Sequence, residues 1–273
     1  MNLAICSLAS GSSGNSYVIY SKRGALLIDA GISARRICQS LERLGIGPDA
    51  LNAVLLTHEH SDHTRGLAAL AKKTGAVLYA SAETLKVLGS DFGFDARPIG
   101  RTDAIEIADM EVRSFAVSHD AADPVGYSVS SGGRCVSVIS DTGIITEEIF
   151  EVMKRSNILV LETNHDESIL RVGRYPYFLK QRILSDKGHL SNACAARALA
   201  SALCEEREER EEGGGNGIGR RQVLLAHLSK ENNFPEMALT TMENILEAEG
   251  FAFGKEVTVE VLPRSEISPV YSV

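Results

Sequence analysis

The chain has 273 residues, 44% of them hydrophobic, which predicts a globular protein with a proper core in one large or two small domains. Its net charge of −8 disfavours a protein that coats nucleic acid indiscriminately. No apolar run reaches membrane-spanning length and no secretory signal is visible at the start of the chain. Five scattered cysteines without a C-x-x-C pair indicate a reduced, cytoplasmic protein.

Strands and helices are predicted throughout the chain from hydrophobic periodicity, turn residues and helix caps. In the first half we expect strands at 2–9, 15–20, 25–29 and 53–57, a helix from Ser33 to about Leu44, a helix at 64–74, a strand at 76–80 and a helix at 82–89. In the second half we expect strands at 104–108, 110–118, 125–131, 134–140, 158–161, 222–227 and 256–262, with helices at 146–155, 191–211 and 235–249.

Two β-rich halves that each end in helices predict two sheets packed face to face with helices outside, a four-layer α/β/β/α sandwich. No long linker interrupts the pattern, so we expect a single domain over residues 1–273. The acidic run Glu205 to Glu212 and the glycine-rich stretch Gly213 to Gly219 predict a flexible insertion at 205–220.

The most informative stretch is a polar turn that follows the strand at 53–57. It reads His58-Glu59-His60-Ser61-Asp62-His63, and so brings four potential metal ligands into six residues. Imidazole and carboxylate groups are ligands for borderline and hard divalent ions. A single histidine is more often an ordinary core or surface residue, but this spacing at a strand-to-helix turn predicts a metal site that can serve two ions.

Three more candidate ligands each end a predicted strand. They are His119, Asp141 and His227. Strand ends at one edge of a sandwich can converge, and a two-metal site requires such convergence. The chain has no Gly-x-Ser-x-Gly nucleophile elbow, and the stretch Gly11 to Gly14 is too short and wrongly placed for a phosphate-binding loop.

The H-x-H-x-D-H turn and the later order His, Asp, His resemble the signature of the metallo-β-lactamase-fold hydrolases. The resemblance implies that a first metal is bound by His58, His60 and His119, a second by Asp62, His63 and His227, with Asp141 bridging both. It also implies that Asp29 orients the turn from behind the ligands. From sequence alone, Asp29 is equally plausible as a turn cap. Asp141 at the bridging position resembles the phosphodiesterase and glyoxalase-II-like branches and not the lactamases.

Several stretches outside the ligands resemble the YycJ/WalJ (VicX) branch of bacterial metallo-β-lactamase-fold proteins, nearly from end to end. They are the small-residue loop Ser7 to Ser16, Asn164-His165-Asp166, the segment Arg171 to Asn192, and Leu228 to Asn233. The branch is cytoplasmic, is associated with 5′-to-3′ exonuclease activity on DNA and with mismatch repair, and implies DNA as the substrate.

A basic and aromatic segment is the main candidate for contacting such a substrate. Residues 171–187 carry five cations against Asp186 alone, with three aromatic residues interleaved. Cations for phosphates and aromatics for bases are typical of a nucleic-acid groove, whereas the alternative is a solvated helix face with buried aromatics. The candidate contacts are Arg174, Lys180 and Arg182.

Other candidate contacts lie near the ligands. His189 could donate to a phosphate or protonate the leaving oxygen. His165 could contact the substrate or only form a hydrogen bond at the strand end. Ser12, Ser13 and Asn15 could present donors to a terminal phosphate, but a simple tight turn explains them as well.

The resulting prediction is a dinuclear phosphodiesterase, most specifically a 5′-to-3′ DNA exonuclease. A hydroxide shared by two metals would attack phosphorus, with Asp62 and His189 as catalytic residues. Zinc, manganese and iron all suit the ligands. The alternatives are a small-molecule phosphodiesterase of the PhnP type, a ribonuclease, or a scaffold subunit in a repair or cell-wall signalling assembly. The sequence does not indicate the oligomeric state.

Overall fold

The computed structural model describes residues 3–89, 92–213 and 219–273. Their contacts group the chain into two compact units. The first unit comprises Met1–Ala116, Ala121–Arg134 and Leu262–Val273, and the second comprises Val117–Asp120 and Cys135–Val261. Within the described ranges, no helix combines the length and the apolar character that a membrane crossing requires.

A seven-stranded mixed sheet forms the centre of the first unit. Its strands are β1 (Ala4–Ala9), β2 (Ser16–Tyr20), β3 (Ala25–Ile28), β4 (Leu51–Leu55), β5 (Val77–Ala80), β6 (Asp95–Pro98) and β14 (Tyr271–Ser272), in the order β14-β1-β2-β3-β4-β5-β6. The pairs from β3 to β6 are parallel and the others are antiparallel. The strands β1 and β3 are buried over their whole length, as expected for the middle of a covered sheet.

The rest of the first unit consists of short helices and an antiparallel meander. The helices are α1 (Ala34–Arg43), α2 (Ser61–Thr64), α3 (Leu67–Ala71) and α4 (Ala82–Leu88), and the meander is β7 (Ala104–Ile107), β8 (Met110–Ala116) and β9 (Val125–Ser131). Helix α1 begins where predicted, because the Ser33 hydroxyl accepts a hydrogen bond from the Arg36 backbone. Its Ile37 and Leu41 pack into the apolar core beside β3 and β4.

The single helix expected at 64–74 is instead split into α2 and α3. Gly66 lies between them, and its backbone nitrogen donates to the Ala30 oxygen at 2.7 Å. A Cβ atom on Gly66 would lie 2.1 Å from the backbone oxygen of Ile32. The Gly66 backbone donor therefore bonds outside the helix, and the helical hydrogen-bond ladder is interrupted between α2 and α3.

Four parallel strands form the core of the second unit, with helices between them. The strands are β10 (Arg134–Ile139), β11 (Ile158–Glu162), β12 (Arg221–Ala226) and β13 (Val257–Val261). The helices are α5 (Glu147–Arg155), α6 (Glu167–Val172), α7 (Tyr177–Ile183), α8 (Asn192–Gly213) and α9 (Pro235–Ala248). Strand β11 is fully buried, in agreement with its continuous apolar sequence.

The acidic run at the predicted insertion is helical, because α8 continues to Gly213. Lys154 on α5 donates to Glu205 at 2.7 Å and to Glu209 at 2.5 Å, so that part of the acidic charge is neutralised. Residues 214–218 of the predicted glycine-rich loop lie outside the described residues. A flexible insertion at 205–220 and a single domain over 1–273 both stay predictions.

Candidate metal centre

The first group of candidate ligands lies at the carboxyl-terminal edge of two parallel strands. Ile28 of β3 pairs with Leu55 of β4, so the residues that follow both strands leave the sheet at the same edge. Asp29 follows β3, and its backbone nitrogen donates to the Leu55 oxygen at 2.9 Å. The turn that begins at His58 follows β4. Ligand sites in α/β proteins gather at this edge of the sheet.

Asp29 contacts one of the candidate ligand histidines. Its side chain is 1% exposed, and its Oδ2 lies 2.7 Å from Nδ1 of His63. Its Oδ1 accepts from the Thr57 backbone nitrogen at 2.9 Å. Burial raises the pKa of Asp29, while the His63 ring and the Thr57 donors act in the opposite direction. Because Asp29 holds Nδ1, Nε2 is the ring nitrogen of His63 that would bind a metal, which is the usual arrangement behind a ligand histidine.

The ligand atoms of the turn come together in pairs. His58 Nε2 lies 3.0 Å from His60 Nδ1, and His63 Nε2 lies 3.5 Å from Asp62 Oδ2. Two ligands of one tetrahedral zinc ion, each bound at about 2.0–2.1 Å, lie roughly 3.3 Å apart. Both pairs have this spacing, so the donor atoms of the turn fit divalent metal ions.

The small-residue loop at 10–16 packs against the turn. Asn15 is fully buried, its backbone nitrogen donates to the Asp62 oxygen at 2.8 Å, and its Nδ2 lies 3.1 Å from His63 Nε2. Gly31, which follows β3, also lies against this contact. A Cβ atom on Gly31 would lie 1.6 Å from the same Asp62 oxygen, so only glycine allows the backbone at position 31 to come this close to Asp62. Ser12 and Ser13 are exposed. Their phosphate contacts, and that of Asn15, stay predictions.

The second group of candidate ligands lies at the carboxyl-terminal edge of the parallel strands of the second unit. Asp141, Glu162 and His227 follow or end the neighbouring strands β10, β11 and β12. Together with His189 they offer ligand atoms that all lie within 4.8 Å of one another. Asp141 Oδ1 is 3.5 Å from His227 Nδ1 and 3.7 Å from His189 Nδ1. Two predicted ligands and one predicted catalytic histidine thus form a single cluster.

Glu162 is the centre of this cluster. It is fully buried, and its Oε1 lies 2.8 Å from Nδ1 of both His189 and His227. Its Oε2 accepts from the Thr142 backbone nitrogen at 3.0 Å. Burial opposes the charged form of Glu162, but the charge and hydrogen bond of His189 and the hydrogen bond of His227 outweigh burial and lower its pKa to about 2. For His189, burial is likewise outweighed by Glu162, and its pKa is raised.

His119 joins the second group through the segment Val117–Asp120. Its Nδ1 lies 3.2 Å from the Gly188 oxygen, so Nδ1 donates and Nε2 is the nitrogen that would bind a metal. That Nε2 is 3.8 Å from Asp141 Oδ1. Burial lowers the pKa of His119, which favours the neutral ring that a metal requires. His119, Asp141 and His227 therefore all present ligand atoms within the second unit.

A left-handed backbone is shared by residues of both groups. Among the described residues, the non-glycine positions with positive φ are Asp29 (60°), Ala108 (57°), Asp141 (54°) and His227 (55°). This conformation is uncommon outside glycine, although Asn, Asp and His tolerate it better than most residues. Strained backbone of this kind gathers at functional sites. Three of the four positions belong to the candidate centre.

The two histidines predicted to contact the substrate differ in their surroundings. The His189 side chain is 20% exposed, and Glu162 holds its Nδ1. His165 is buried, and neither of its ring nitrogens has a hydrogen-bond partner among the described residues. Burial lowers the pKa of His165 to about 4, so its ring is neutral at pH 7. Their roles in substrate binding stay predictions.

The predicted basic contacts lie on and beside α7. Arg182 donates through Nε to Asp120 Oδ2 at 2.6 Å, beside His119 in sequence. Lys180 donates to the Arg171 backbone oxygen at 2.7 Å, and Arg174 is exposed. Arg182 is thus connected with the second ligand group, whereas Arg174 and Lys180 lie farther along the same segment.

Two supporting residues were missed by the sequence analysis. Glu162 ends the apolar run Ile158 to Leu161 much as Asp29 ends Leu26 to Ile28, and that parallel could have identified it. Thr57 directly precedes the ligand turn, and its hydroxyl lies 3.0 Å from His58 Nδ1. A threonine in this position carries no distinctive sequence signal.

Comparisons with known proteins agree with this geometry. The family described as "Beta-lactamase superfamily domain" matches residues 25–206, which is more than half of the chain. The chain is 14% identical to the solved metallo-β-lactamase-fold protein YhfI from Bacillus subtilis, with a TM-score of 0.70 over 98% of this chain and 99% of that one. This similarity confirms the predicted metallo-β-lactamase fold, of the α/β class.

Two curated relatives identify the branch. The chain is 37% identical over 259 residues to "Exodeoxyribonuclease YycJ" of Bacillus anthracis, covering 93% of each chain. It is 36% identical over 263 residues to "Exodeoxyribonuclease WalJ" of Streptococcus pneumoniae serotype 2, strain D39, covering 92% of this chain and 91% of the relative. The chain therefore belongs to the metallo-β-lactamase-fold hydrolases, in the branch that contains YycJ and WalJ.

Proposed function

We propose that the chain is a metal-dependent phosphodiesterase that removes nucleotides from DNA, working as an exonuclease from the 5′ end towards the 3′ end. The observation that carries this proposal is the similarity to two relatives named exodeoxyribonuclease, at 36–37% identity over more than 90% of each chain. The ligand groups at the strand edges support the hydrolytic part, because their donor atoms suit divalent ions. The direction of digestion and a role in mismatch repair rest on the family resemblance.

The proposed cofactor is a pair of divalent ions, with the ligand assignment that the family resemblance implies. One ion would take His58, His60 and His119, the other Asp62, His63 and His227, and Asp141 would contact both. A set of nitrogen and oxygen donors without sulfur suits zinc, manganese or iron. Bound ions of this kind supply Lewis acidity towards a phosphate oxygen and lower the pKa of a water molecule.

The protein's own groups would position the ligands and move a proton. Asp29 holds His63 by Nδ1, and Glu162 holds His227 by Nδ1, so both rings present Nε2. Glu162 also holds His189 by Nδ1, which leaves the His189 Nε2 proton to be donated to the leaving oxygen of the cleaved nucleotide. No side-chain nucleophile is required for this reaction.

The same proposal places the protein in the cytoplasm. All five cysteines are free thiols, which suits a reducing compartment, and the relatives act on DNA by name. The nucleic acid is proposed as a substrate and not as a structural partner.

The test is digestion of DNA by protein that has been stripped of metal and reloaded separately with manganese and with zinc. A duplex labelled at the 3′ end and the same duplex labelled at the 5′ end are compared with an RNA duplex of matching sequence. The variant Asp62→Ala with His63→Ala removes two ligands. Glu83→Ala on α4, whose side chain is 57% exposed, is the matched control.

We expect a ladder of shortening fragments from the 3′-labelled DNA and early release of the label from the 5′-labelled DNA. Both should require metal, vanish in the double variant and persist in the control, while RNA stays intact. Immediate release of the 3′ label would reverse the direction. Digestion of RNA would make the chain a ribonuclease. Hydrolysis of bis-p-nitrophenyl phosphate without digestion of either polymer would indicate a small-molecule phosphodiesterase, and no hydrolysis at all would favour a scaffold.

A further inference from the structure

The end of α6 and the beginning of α7 expose three large apolar side chains, hereafter the aromatic patch: Val172 on α6, and Tyr177 and Phe178 on α7. Their exposed fractions are 86%, 77% and 73%, the highest among the large hydrophobic side chains of the described residues. Single exposed apolar side chains are normal on a protein surface. Several exposed together are less common, and such a patch often marks a binding surface. The structure thus decides against the alternative of buried aromatics for Tyr177 and Phe178.

Positive charge surrounds the aromatic patch. Within the same segment, the exposed or half-exposed cations are Arg171, Arg174, Lys180, Arg182 and Lys187. The carboxylates that approach them are Glu167, 3.6 Å from Arg171, and Asp120, 2.6 Å from Arg182. This local excess of positive charge occurs in a chain whose net charge is −8, so the segment is complementary to a polyanion although the chain as a whole is acidic.

Helix α7 connects the aromatic patch with the second ligand group. Its last residue, Ile183, accepts a hydrogen bond from the His189 backbone nitrogen at 3.0 Å, and the Gly188 oxygen contacts His119 at 3.2 Å. The seven residues of α7 span about 10 Å at a rise of about 1.5 Å each.

We propose that Tyr177 and Phe178 form a stacking site for unpaired bases of a DNA strand, on the helix that leads to the second ligand group. This inference rests on the proposed DNA substrate. Exposed aromatic rings among cations are how proteins bind single-stranded nucleic acid, since each base offers a flat face and each phosphate a charge. Bases within an intact duplex already stack on one another, so the occupant is a single-stranded stretch.

Binding measured without turnover tests the site. Fluorescence anisotropy in EDTA compares the full chain bound to a short oligothymidylate with the same chain bound to an abasic oligomer of equal length. The abasic oligomer keeps the phosphates and lacks the bases. Tyr177→Ala with Phe178→Ala removes both rings, Tyr177→Phe with Phe178→Tyr keeps two rings, and Val87→Ala, at a 58% exposed position on α4, is the matched control.

The native chain should bind oligothymidylate more tightly than the abasic oligomer. Loss of both rings should weaken oligothymidylate binding by about tenfold or more and leave abasic binding unchanged. The ring-exchange variant and the Val87→Ala control should bind as the native chain does. Thermal unfolding of each variant at the native temperature confirms that the fold is intact.

Three results would overturn the stacking site. They are an equal loss on both oligomers, no loss on oligothymidylate, and no preference of the native chain for oligomers that carry bases. If the reloaded native protein digests DNA while the alanine variant binds oligothymidylate normally, the exonuclease stands and the aromatic patch is a surface for a protein partner. If the reloaded native protein digests no DNA, the proposed function itself fails.

Discussion

Each unit contains one buried carboxylate that accepts a hydrogen bond from histidine Nδ1, Asp29 in the first unit and Glu162 in the second. The pKa values of these two carboxylates are shifted in opposite directions. Asp29 holds one histidine ring, and burial raises its pKa. Glu162 holds two histidine rings, and their combined effect outweighs burial and lowers its pKa. Asp29 has one imidazole partner and Glu162 has two, and the second partner adds to the interactions that favour the charged carboxylate.

The largest effect is expected from Glu162→Gln, which keeps the shape of the side chain and removes its charge. Glutamine keeps one acceptor oxygen, but both histidines would lose the negative charge that their Nδ1 protons face, and the new NH2 group would meet the Thr142 backbone donor. Since loss of the partner of one ligand histidine costs about 10–100-fold, we expect a loss of about 10–100-fold in kcat/KM on bis-p-nitrophenyl phosphate, with less metal retained. On DNA, where the proposed proton donor His189 is also disturbed, the loss should be about 100-fold larger. Elemental analysis gives the metal content and Glu83→Gln serves as the control. Native activity in Glu162→Gln would contradict the role of Glu162.

The next largest effect is expected from His189→Ala, which distinguishes the proposed role of His189 from that of His227. His189→Ala should lower kcat on DNA by about 100-fold, because the alkoxide leaving group of DNA requires a proton. The p-nitrophenolate group leaves without one, so hydrolysis of bis-p-nitrophenyl phosphate should change much less, and the metal content should stay native. An equal loss on both substrates would show that His189 acts by supporting the ligands and not by donating a proton.

A smaller effect is expected from Asp29→Asn, because only one ligand histidine depends on Asp29. Metal affinity, measured by competition with a chromogenic chelator, should fall by about 10–100-fold. Activity at saturating metal should recover most of its native value. If Asp29→Asn lost more activity than Glu162→Gln does, Asp29 and not Glu162 would be the more important of the two carboxylates.

The smallest effect is expected at a cluster in which one cation, and not one carboxylate, is the central group. Lys154 is a cation that contacts Glu151, Glu205 and Glu209, and those carboxylates are 38%, 49% and 58% exposed. The Lys154 side chain is itself only 6% exposed, but Met has a similar length and the three carboxylates stay in contact with water. Lys154→Met should therefore change the free energy of unfolding by no more than about 1 kcal/mol in urea denaturation. Activity should not change. A larger loss of stability would mean that the acidic end of α8 requires this cation in order to fold.

Site residues that belong to a local sequence pattern could be predicted, whereas a residue defined by contacts with distant parts of the chain could not. The turn from His58 to His63 could be recognised because its ligands are close in sequence, and Asp141 and His227 because they follow apolar strands. Glu162 was missed, since a carboxylate that ends a buried strand shows no sign of the two histidines it meets 27 and 65 residues later. The predicted role of Asp29 behind the ligands agrees with its contact to His63.

Secondary structure was missed where hydrophobic periodicity was weak. Strand β6 is exposed along its length and β14 has only two residues, so neither has an alternating apolar pattern. Helices α6 and α7 are short, and α7 exposes its aromatic residues instead of burying them. The break between α2 and α3 depends on the approach of Gly66 to a backbone oxygen distant in sequence, which no local pattern encodes.

The left-handed backbone at Asp29, Asp141 and His227 narrows the range of substitutions that evolution or engineering can use there. Apart from glycine, that conformation favours Asn, Asp and His, and two of these three residue types are metal ligands. Backbone shape and metal chemistry thus select from nearly the same small set of amino acids. A library intended to change the metal preference at positions 141 and 227 should therefore be confined to that set. β-Branched and bulky residues would strain the left-handed backbone at these positions and destabilise the fold, whatever their metal chemistry.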